Sequence, residues 1–247
     1  MIKPELLKEI YKDNFEEVYR ILYTVPKNNH DLLTNYLPSK LWRLNNLYTI
    51  TPKIGARMIF KMNLAQHKVY AASLKHSRQI ILKSRQQGIS TFWLISFFDD
   101  AITIPDLNIG LQSQGESESK KLFRRVKLLY SELPKFFKNY LNLSLTNDTQ
   151  AEYSFNNGST MSIGSSYRSG TLQRLHISEY GKIASRYPAK AIEIITGSLQ
   201  AVAPGNQLII ESTAEGDNDF KNRWDTACKK REVYGGKHFY PIFLSWL

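Results

Sequence analysis

The stretch IILKSRQQGISTFW, residues 80–93, decides how the rest of the chain is read. A short apolar run, Ile80 to Leu82, breaks into the polar turn KSRQQG, and a second apolar segment, Phe92 to Phe98, follows at once. Strand, tight loop and helix in that order is the layout of a phosphate-binding loop, whose backbone N–H groups curl around an anion at the positive end of a helix. The usual form, G-x-x-x-x-G-K-[ST], sets a lysine on the β/γ-phosphates and a hydroxyl on magnesium. Here Gly88 takes the second glycine and Ser90 the hydroxyl, with Thr91 behind it; Lys83 stands at the first glycine and Ile89 where the lysine belongs. The match is partial. Lys83 and Arg85 are the loop cations able to replace that lysine, and Ser84, Gln86 and Gln87 complete the turn.

Upstream, Leu7, Ile10, Tyr11, Phe15, Val18 and Leu22 recur at helical spacing after Pro4, which predicts one amphipathic helix ending near Pro26. With a second short helix around Leu32 to Leu44, residues 1–50 read as a helical appendage, and 51–247 as the core domain. Residues 60–77 predict a helix leading into a first core strand, Gln79 to Leu82. Downstream, Leu107 to Leu111 suits a strand, and ESESKKLFRRVKLLYSEL a helix whose outer face carries Lys120, Lys121, Arg124, Arg125 and Lys127. That face is either a solvated surface or a contact for DNA phosphates. Residues 151–163 predict a hairpin on the Asn157-Gly158 turn. Strands at 172–178, 207–210 and in KHFYPIF, with helices at Pro188 to Leu199 and Asn218 to Arg231, complete the alternation. Strands alternating with helices after such a loop indicate an α/β, doubly wound, mostly parallel sheet.

The bulk numbers narrow the class. A chain of 247 residues that is 42% hydrophobic is globular and fits one large domain. Its formal charge of +11 points to a polyanionic partner, with plain solubility as the bland alternative. A single cysteine, Cys228, rules out an internal disulfide and fits a reducing compartment. The amino-terminal segment lacks the apolar core of a signal peptide, and no stretch reads as a membrane span.

Three polar motifs each follow an apolar strand: KSRQQGIST, HISEYG and ESTAEG. In a parallel sheet their strand ends open on one edge and converge on one nucleotide. ATP hydrolysis needs a cation on the phosphates, a hydroxyl or carboxylate holding magnesium, and a group orienting water. Ser90 is the metal-side hydroxyl and Glu179 the water-activating base, with Arg85 favoured for transition-state charge and Lys83 for binding. The bland alternatives are an acid at a helix N-terminus for Glu179 and a loop residue paired to a surface carboxylate for Arg85.

Taken together these motifs resemble the ATPase domain of the large terminase subunit, the DNA-packaging motor of tailed bacteriophages. KSRQQGIST resembles its deviant Walker A, LHISEYGKI its Walker B and IIESTAEG its coupling motif, which assigns coupling to Ser212 and Thr213. NLAQ, with Gln66, looks like the adenine-recognition element, and SYRSGTLQRLHISE is similar to the segment preceding Walker B. The resemblance spans roughly residues 50–245 and implies a P-loop NTPase of the RecA-like (ASCE) class using ATP and Mg2+. It also implies hydrolysis coupled to translocation of double-stranded DNA into a prohead, in the host bacterial cytoplasm and away from membranes. The implied partners are the portal protein, the small terminase subunit and further copies of the chain in a ring on the portal.

Two departures stand out. Ser178 occupies the Walker B aspartate position, so magnesium would be held mainly by Ser90, phosphates and water, with Ser178 acting through a water. No Asp or Glu follows Glu232, so the carboxylate-rich nuclease domain of full-length terminases is expected to be absent, and nuclease activity with it. The competing reading is a nucleotide- or DNA-binding remnant of a truncated prophage terminase that does not hydrolyse ATP. A helicase-type RecA-like ATPase would usually bring a second RecA-like domain, for which the chain has no room.

Overall fold

A computed structural model of the chain describes residues 2–52, 55–164, 167, 170–230 and 238–245. The amino-terminal helices are α1 (Pro4–Ile10), α2 (Phe15–Tyr23), α3 (Asn29–Asp31), which widens into a π-helical turn over Leu32–Tyr36, and α4 (Lys40–Asn46). A two-stranded ribbon of β1 (Thr49–Ile50) and β2 (Met58–Ile59) leads to α5 (Leu64–Ser73). The core then runs β3 (Arg78–Lys83), α6 (Ile89–Thr103), β4 (Asn108–Gln112), α7 (Glu116–Ser131), α8 (Lys135–Tyr140), β5 (Leu145–Asp148), β6 (Glu152–Phe155) and β7 (Thr160–Ile163). It continues with β8 (Leu172–Ser178), α9 (Tyr180–Arg186), α10 (Pro188–Glu193), a π-helical turn at Ile194–Ser198, β9 (Val202–Ser212), α11 (Asp219–Lys229) and β10 (Tyr240–Leu244).

Among the described residues eight strands form one sheet in the order β10-β3-β9-β8-β4-β7-β6-β5. The strands from β10 to β7 pair parallel, and β6 and β5 add an antiparallel end. The expected doubly wound sheet is therefore present. The chain winds outward from β3 to β4, returns to insert β9 between β3 and β8, and closes with β10 on the far side of β3. Ligands of such sheets bind where the winding reverses, beyond the strand C-termini.

Side-chain alternation divides the core in two. Ile81, Ile109, Leu111 and Ile209 pack on the face covered by α6 and α7. Ile80, Leu175, Ile177, Leu208 and Ile210 pack on the opposite face, under α9 and α11. Because successive strand residues point to opposite faces, the same rule places Lys83, Ser178 and Glu211 on the α6 side.

The amino-terminal stretch departs from its sequence reading. The single helix predicted from Pro4 to near Pro26 is two, broken at Lys12-Asp13-Asn14. Tyr11 leaves helical geometry (φ −113°, ψ 44°), and its hydroxyl meets His67 Nδ1 of α5 at 2.9 Å. Leu7, Tyr11, Val18 and Ile21 join the buried cluster that also contains α5 and α6. Burial lowers the His67 pKa to about 4, so its ring is neutral at pH 7. No described helix is long and apolar enough to cross a membrane.

Helix α6 is buried nearly all round, as its composition requires, yet it carries two buried acids, Asp99 and Asp100. Arg43 of α4 grips Asp99 through two bonds, Nε to Oδ1 at 2.8 Å and Nη2 to Oδ2 at 2.7 Å, and the Tyr48 hydroxyl donates to the same carboxylate. Lys40 and Arg174 pair with Asp100 at 2.6 and 3.3 Å. Burial works against the Arg43 charge, and the adjoining Asp99 more than offsets it, so the guanidinium pKa is raised. Removing one member of a buried pair strands the other, at a cost of about 3–5 kcal/mol. Arg43→Met is therefore expected to lower unfolding free energy by about that amount in urea titration; a loss below about 1 kcal/mol would show that the pair does not hold α4 to the core.

Candidate functional site

The loop between β3 and α6 is shaped by Gly88. It adopts φ +70°, ψ 16° as the N-cap of α6, and a Cβ there would lie 2.7 Å from Gln66 Nε2. Left-handed backbone without steric penalty is what glycine supplies, and close approach to another group is its second use. Gln66 is braced from both ends. Its Oε1 accepts from the Asn63 backbone N–H at 2.8 Å in a capping box, and its Nε2 donates to the Gly88 carbonyl at 2.9 Å. Gln87 Nε2 donates to Ser84 Oγ at 2.8 Å and to the Ser245 carbonyl at 3.0 Å, closing the other side of the turn against β10. Among the described residues no side chain caps the first turn of α6, so the amide end of this helix, at Ile89, Ser90 and Thr91, has no side-chain competitor there for an anion.

A cavity of about 640 Å³ opens over this turn. Its polar side is Lys83, Gln86, Gln87, Gly88, Ser90, Thr91 and Glu179; its apolar side includes Ile50, Pro52, Leu94 and Leu128. Most of the loop residues singled out in the sequence therefore share one wall with Glu179, although Glu179 lies 96 positions from Lys83. Arg85 and Ser84 do not face it. They border a neighbouring cavity with Thr213 and Ala214, while Lys83 reaches both. Arg85 is exposed and makes no hydrogen bond or ion pair among the described residues. Gln66 lies behind the loop, buried, outside the cavity wall.

Glu179 follows β8 in the left-handed region, φ 57°, ψ 42°. Such a conformation costs a glutamate on the order of 1 kcal/mol and is found where surrounding structure enforces it. It is the N-cap of α9, as the helix-terminal alternative expected, but its carboxylate does not cap. It goes instead to Lys83 Nζ at 2.9 Å and Lys182 Nζ at 3.2 Å, with Thr213 Oγ1 at 3.4 Å. Ser212 Oγ accepts from the Gly181 backbone N–H at 3.0 Å, tying the end of β9 to the first turn of α9.

The residue the sequence reading missed is Glu211. On β9 it lies opposite both Ile81 and Ser178 in the parallel register, and it is fully buried. The Ser90 hydroxyl donates to its Oε1, Ser178 Oγ lies 2.8 Å from the same oxygen, and Lys83 Nζ lies 3.4 Å from Oε2. His176 Nε2 is 3.3 Å from Oε1. Burial pushes Glu211 upward, but His176 and Lys83, with Ser90, hold its pKa at about 2. Lys83 shows the reciprocal balance: burial depresses it, Glu211 and then Glu179 outweigh burial, and its pKa is raised. The signal was present in the sequence, since an acid ending the apolar run LIIES shares a face with Ile209; what hid it was the non-consecutive position of β9 beside β3.

The cations on the outer face of α7 differ in their surroundings. Lys121 pairs with Glu118 at 2.9 Å, and Lys127 with Asp148 at 2.6 Å while lying over the Tyr153 ring. Arg124 and Arg125 line the cavity, and Arg125 Nη1 reaches Thr91 Oγ1 at 3.4 Å. Two of the five cations read on this face, as either a solvated surface or a DNA contact, thus stand beside the phosphate-type loop.

Among the described residues no three His, Cys, Asp or Glu side chains gather as a metal cluster. That donor set does not suit zinc, but it fits magnesium, which takes oxygen ligands and keeps waters and substrate phosphates around one hydroxyl and one carboxylate.

No family model matches the sequence, and no curated protein matches it. Solved structures do match. The large terminase of bacteriophage HK97 superposes with TM-score 0.62 at 12% identity over 82% of this chain and 43% of that one. The large terminase ATPase domain of Thermus phage P74-26 gives 0.51 at 15% identity over 76% of this chain and 81% of that domain. The large terminase of another thermophilic bacteriophage gives 0.50 at 12% identity, covering 74% of this chain and 44% of that one. The fold is that of a P-loop NTPase. Within that class it is the fold of the phage large terminase ATPase domain, and the chain spans less than half the length of the first and third of these terminases.

Gly88→Ala tests the loop. Holding alanine in left-handed geometry costs about 1–2 kcal/mol, so unfolding free energy should fall by that much. An unchanged urea midpoint would mean that the loop adopts another conformation.

Proposed function

We propose that this chain is the ATP-hydrolysing motor domain of a phage large terminase, coupling hydrolysis to translocation of double-stranded DNA into a prohead. The observation that carries the reading is one cavity, at the carboxyl ends of β3 and β8, shared by an uncapped helix N-terminus, Ser90, Lys83 and Glu179. The polar wall suits a triphosphate and the apolar wall a nucleobase. Backbone amides at Gly88 to Thr91 bind the phosphates, with Ser84, Gln86, Gln87 and Ile89 shaping the turn. Lys83 supplies the loop charge. When phosphate oxygens take the Lys83 ammonium, its 2.9 Å contact with Glu179 Oε1 is released, and that oxygen can orient and deprotonate water while Oε2 stays with Lys182. Magnesium, when bound, neutralises charge on the β/γ-phosphates, and Ser90 is the hydroxyl that would hold it, with Ser178 behind a water.

Arg85, unpaired among the described residues, keeps its assignment to transition-state charge, although reaching the γ-phosphate requires it to cross from the neighbouring cavity. Arg124 and Arg125 already border the site and are the nearer supply of positive charge. Ser212 and Thr213 link this edge to α9 and to Glu179, which suits their coupling role. Gln66, with one amide hydrogen engaged at Gly88, has a second to offer adenine, although it lies buried outside the cavity wall and must turn toward the cavity to use it. The net charge of +11 supports a DNA partner. The portal protein, the small terminase subunit, a ring of copies and the bacterial cytoplasm follow from the same reading.

A specific observation favours a second reading, the non-hydrolysing remnant: Ile89, at the usual lysine position, is apolar and buried. Glu179→Gln separates the two. On the motor reading the parent releases phosphate from ATP, and the variant binds ATP within a few-fold of the parent while its turnover falls about 100-fold or more. If the parent binds ATP yet releases no phosphate with double-stranded DNA and portal protein present, the remnant reading replaces the motor.

A further inference from the structure

We propose that the metal-side carboxylate of this site has moved from β8 to β9: Glu211, acting through the Ser90 hydroxyl, does the charge work that Ser178 cannot. The inference rests on the nucleotide-binding reading above and adds a positioning residue to it.

Three oxygens converge at the base of the loop. Ser90 Oγ donates to Glu211 Oε1; Ser178 Oγ lies 2.8 Å from that oxygen and 3.2 Å from Ser90 Oγ. An ionised carboxylate only accepts, so the Ser90 hydroxyl must give its one hydrogen to Glu211. Its lone pairs are then free of Glu211, and with Ser90 lining the cavity one of them can serve a hard cation there even when Ser178 takes the other. The Lys83 ammonium, 3.4 Å from Oε2, is the positive partner beside the Glu211 carboxylate. That second oxygen, Oε2, is buried without a hydrogen-bond partner among the described residues.

The register explains why residue 178 is a serine. Ser178 and Glu211 are direct neighbours on parallel strands, and adjacent strands lie about 4.8 Å apart. An aspartate at 178 would put two buried carboxylates side by side, and like charges so close cannot both stay ionised. One charge between β8 and β3 is what the site accommodates. Glutamate, longer by one methylene than aspartate, reaches Ser90 from the intervening strand, while serine at 178 contributes a hydroxyl to the same oxygen. The β8 position is thus altered without loss of the carboxylate.

The test reads metal dependence of binding rather than turnover. A fluorescent ATP analogue is titrated against the full chain in excess Mg2+ and in EDTA, and the ratio of the two affinities is the Mg2+ enhancement. Partners that orient a metal ligand are worth about 10–100-fold in metal affinity, so Glu211→Gln should lose about that factor of enhancement. Ser90→Ala should lose the enhancement too, and combining it with Glu211→Gln should add little, because both remove one link. Returning the carboxylate to β8 in the double variant Ser178→Asp/Glu211→Ser should restore the enhancement. This exchange variant decides the matter if Glu211→Gln does not fold, as judged by circular dichroism and the urea midpoint. Parental enhancement in Glu211→Gln overturns the inference and leaves the nucleotide site standing, as does failure of the folded exchange variant to restore it. A parent that binds no ATP analogue in either condition overturns the functional reading and this inference together.

Discussion

A negative charge with no access to water sits at the centre of this molecule. Glu211 is fully buried, and an isolated carboxylate in such a place would cost several kcal/mol if nothing compensated it. Compensation comes from two strands and a helix at once: Lys83 ends β3, His176 and Ser178 stand on β8, and Ser90 opens α6. Each must sit on the α6 side of the sheet and within one or two residues of the strand ends. That requirement fixes β9 between β3 and β8 in a single register, since a slip of one residue would turn Glu211 to the opposite, apolar face.

The same constraint shapes the loop above. Lys83 is drawn down between Glu211 and Glu179, so the first residue of the turn is anchored before the backbone curls. Gln66 fixes the last residue of the turn from behind, through the Gly88 carbonyl. Anchored at both ends, the amides of Ile89 to Thr91 face the cavity with little left to reorganise, which is the condition under which fixed dipoles stabilise an anion most effectively. A second buried charge system, Arg43 with Asp99, does similar work 56 residues apart in sequence and holds α4 against α6. The site is thus supported by polar contacts across long sequence separations on a frame of buried apolar strands.

Much of the frame was legible in the sequence. Parallel strands covered on both faces read as apolar runs: Ile80 to Leu82, Leu172 to Ile177 and Gln207 to Ile210 each fall within a strand of the sheet, and Leu107 to Leu111 overlaps one that starts a residue later. The hairpin at Asn157-Gly158 was legible because its turn chemistry is local. What failed was non-local. The break after Tyr11 depends on His67, the buried acids of α6 on α4, and the part played by Glu211 on which strand lies next to which. Strand β5 and helices α8 and α9 were too short and too polar to announce themselves by periodicity. Ser178 and Glu179 were picked out from their place after an apolar strand; the acid that Ser178 meets lies on another strand, 33 residues further on.

Hydrogen–deuterium exchange on the full chain, with and without Mg2+ and ATP, tests most directly whether nucleotide binds over this loop. Protection on adding ATP should concentrate in peptides covering residues 84–92 and 178–183, which contain the cavity-lining residues Gln86 to Thr91 and Glu179. Protection elsewhere with none in residues 84–92 would contradict the account.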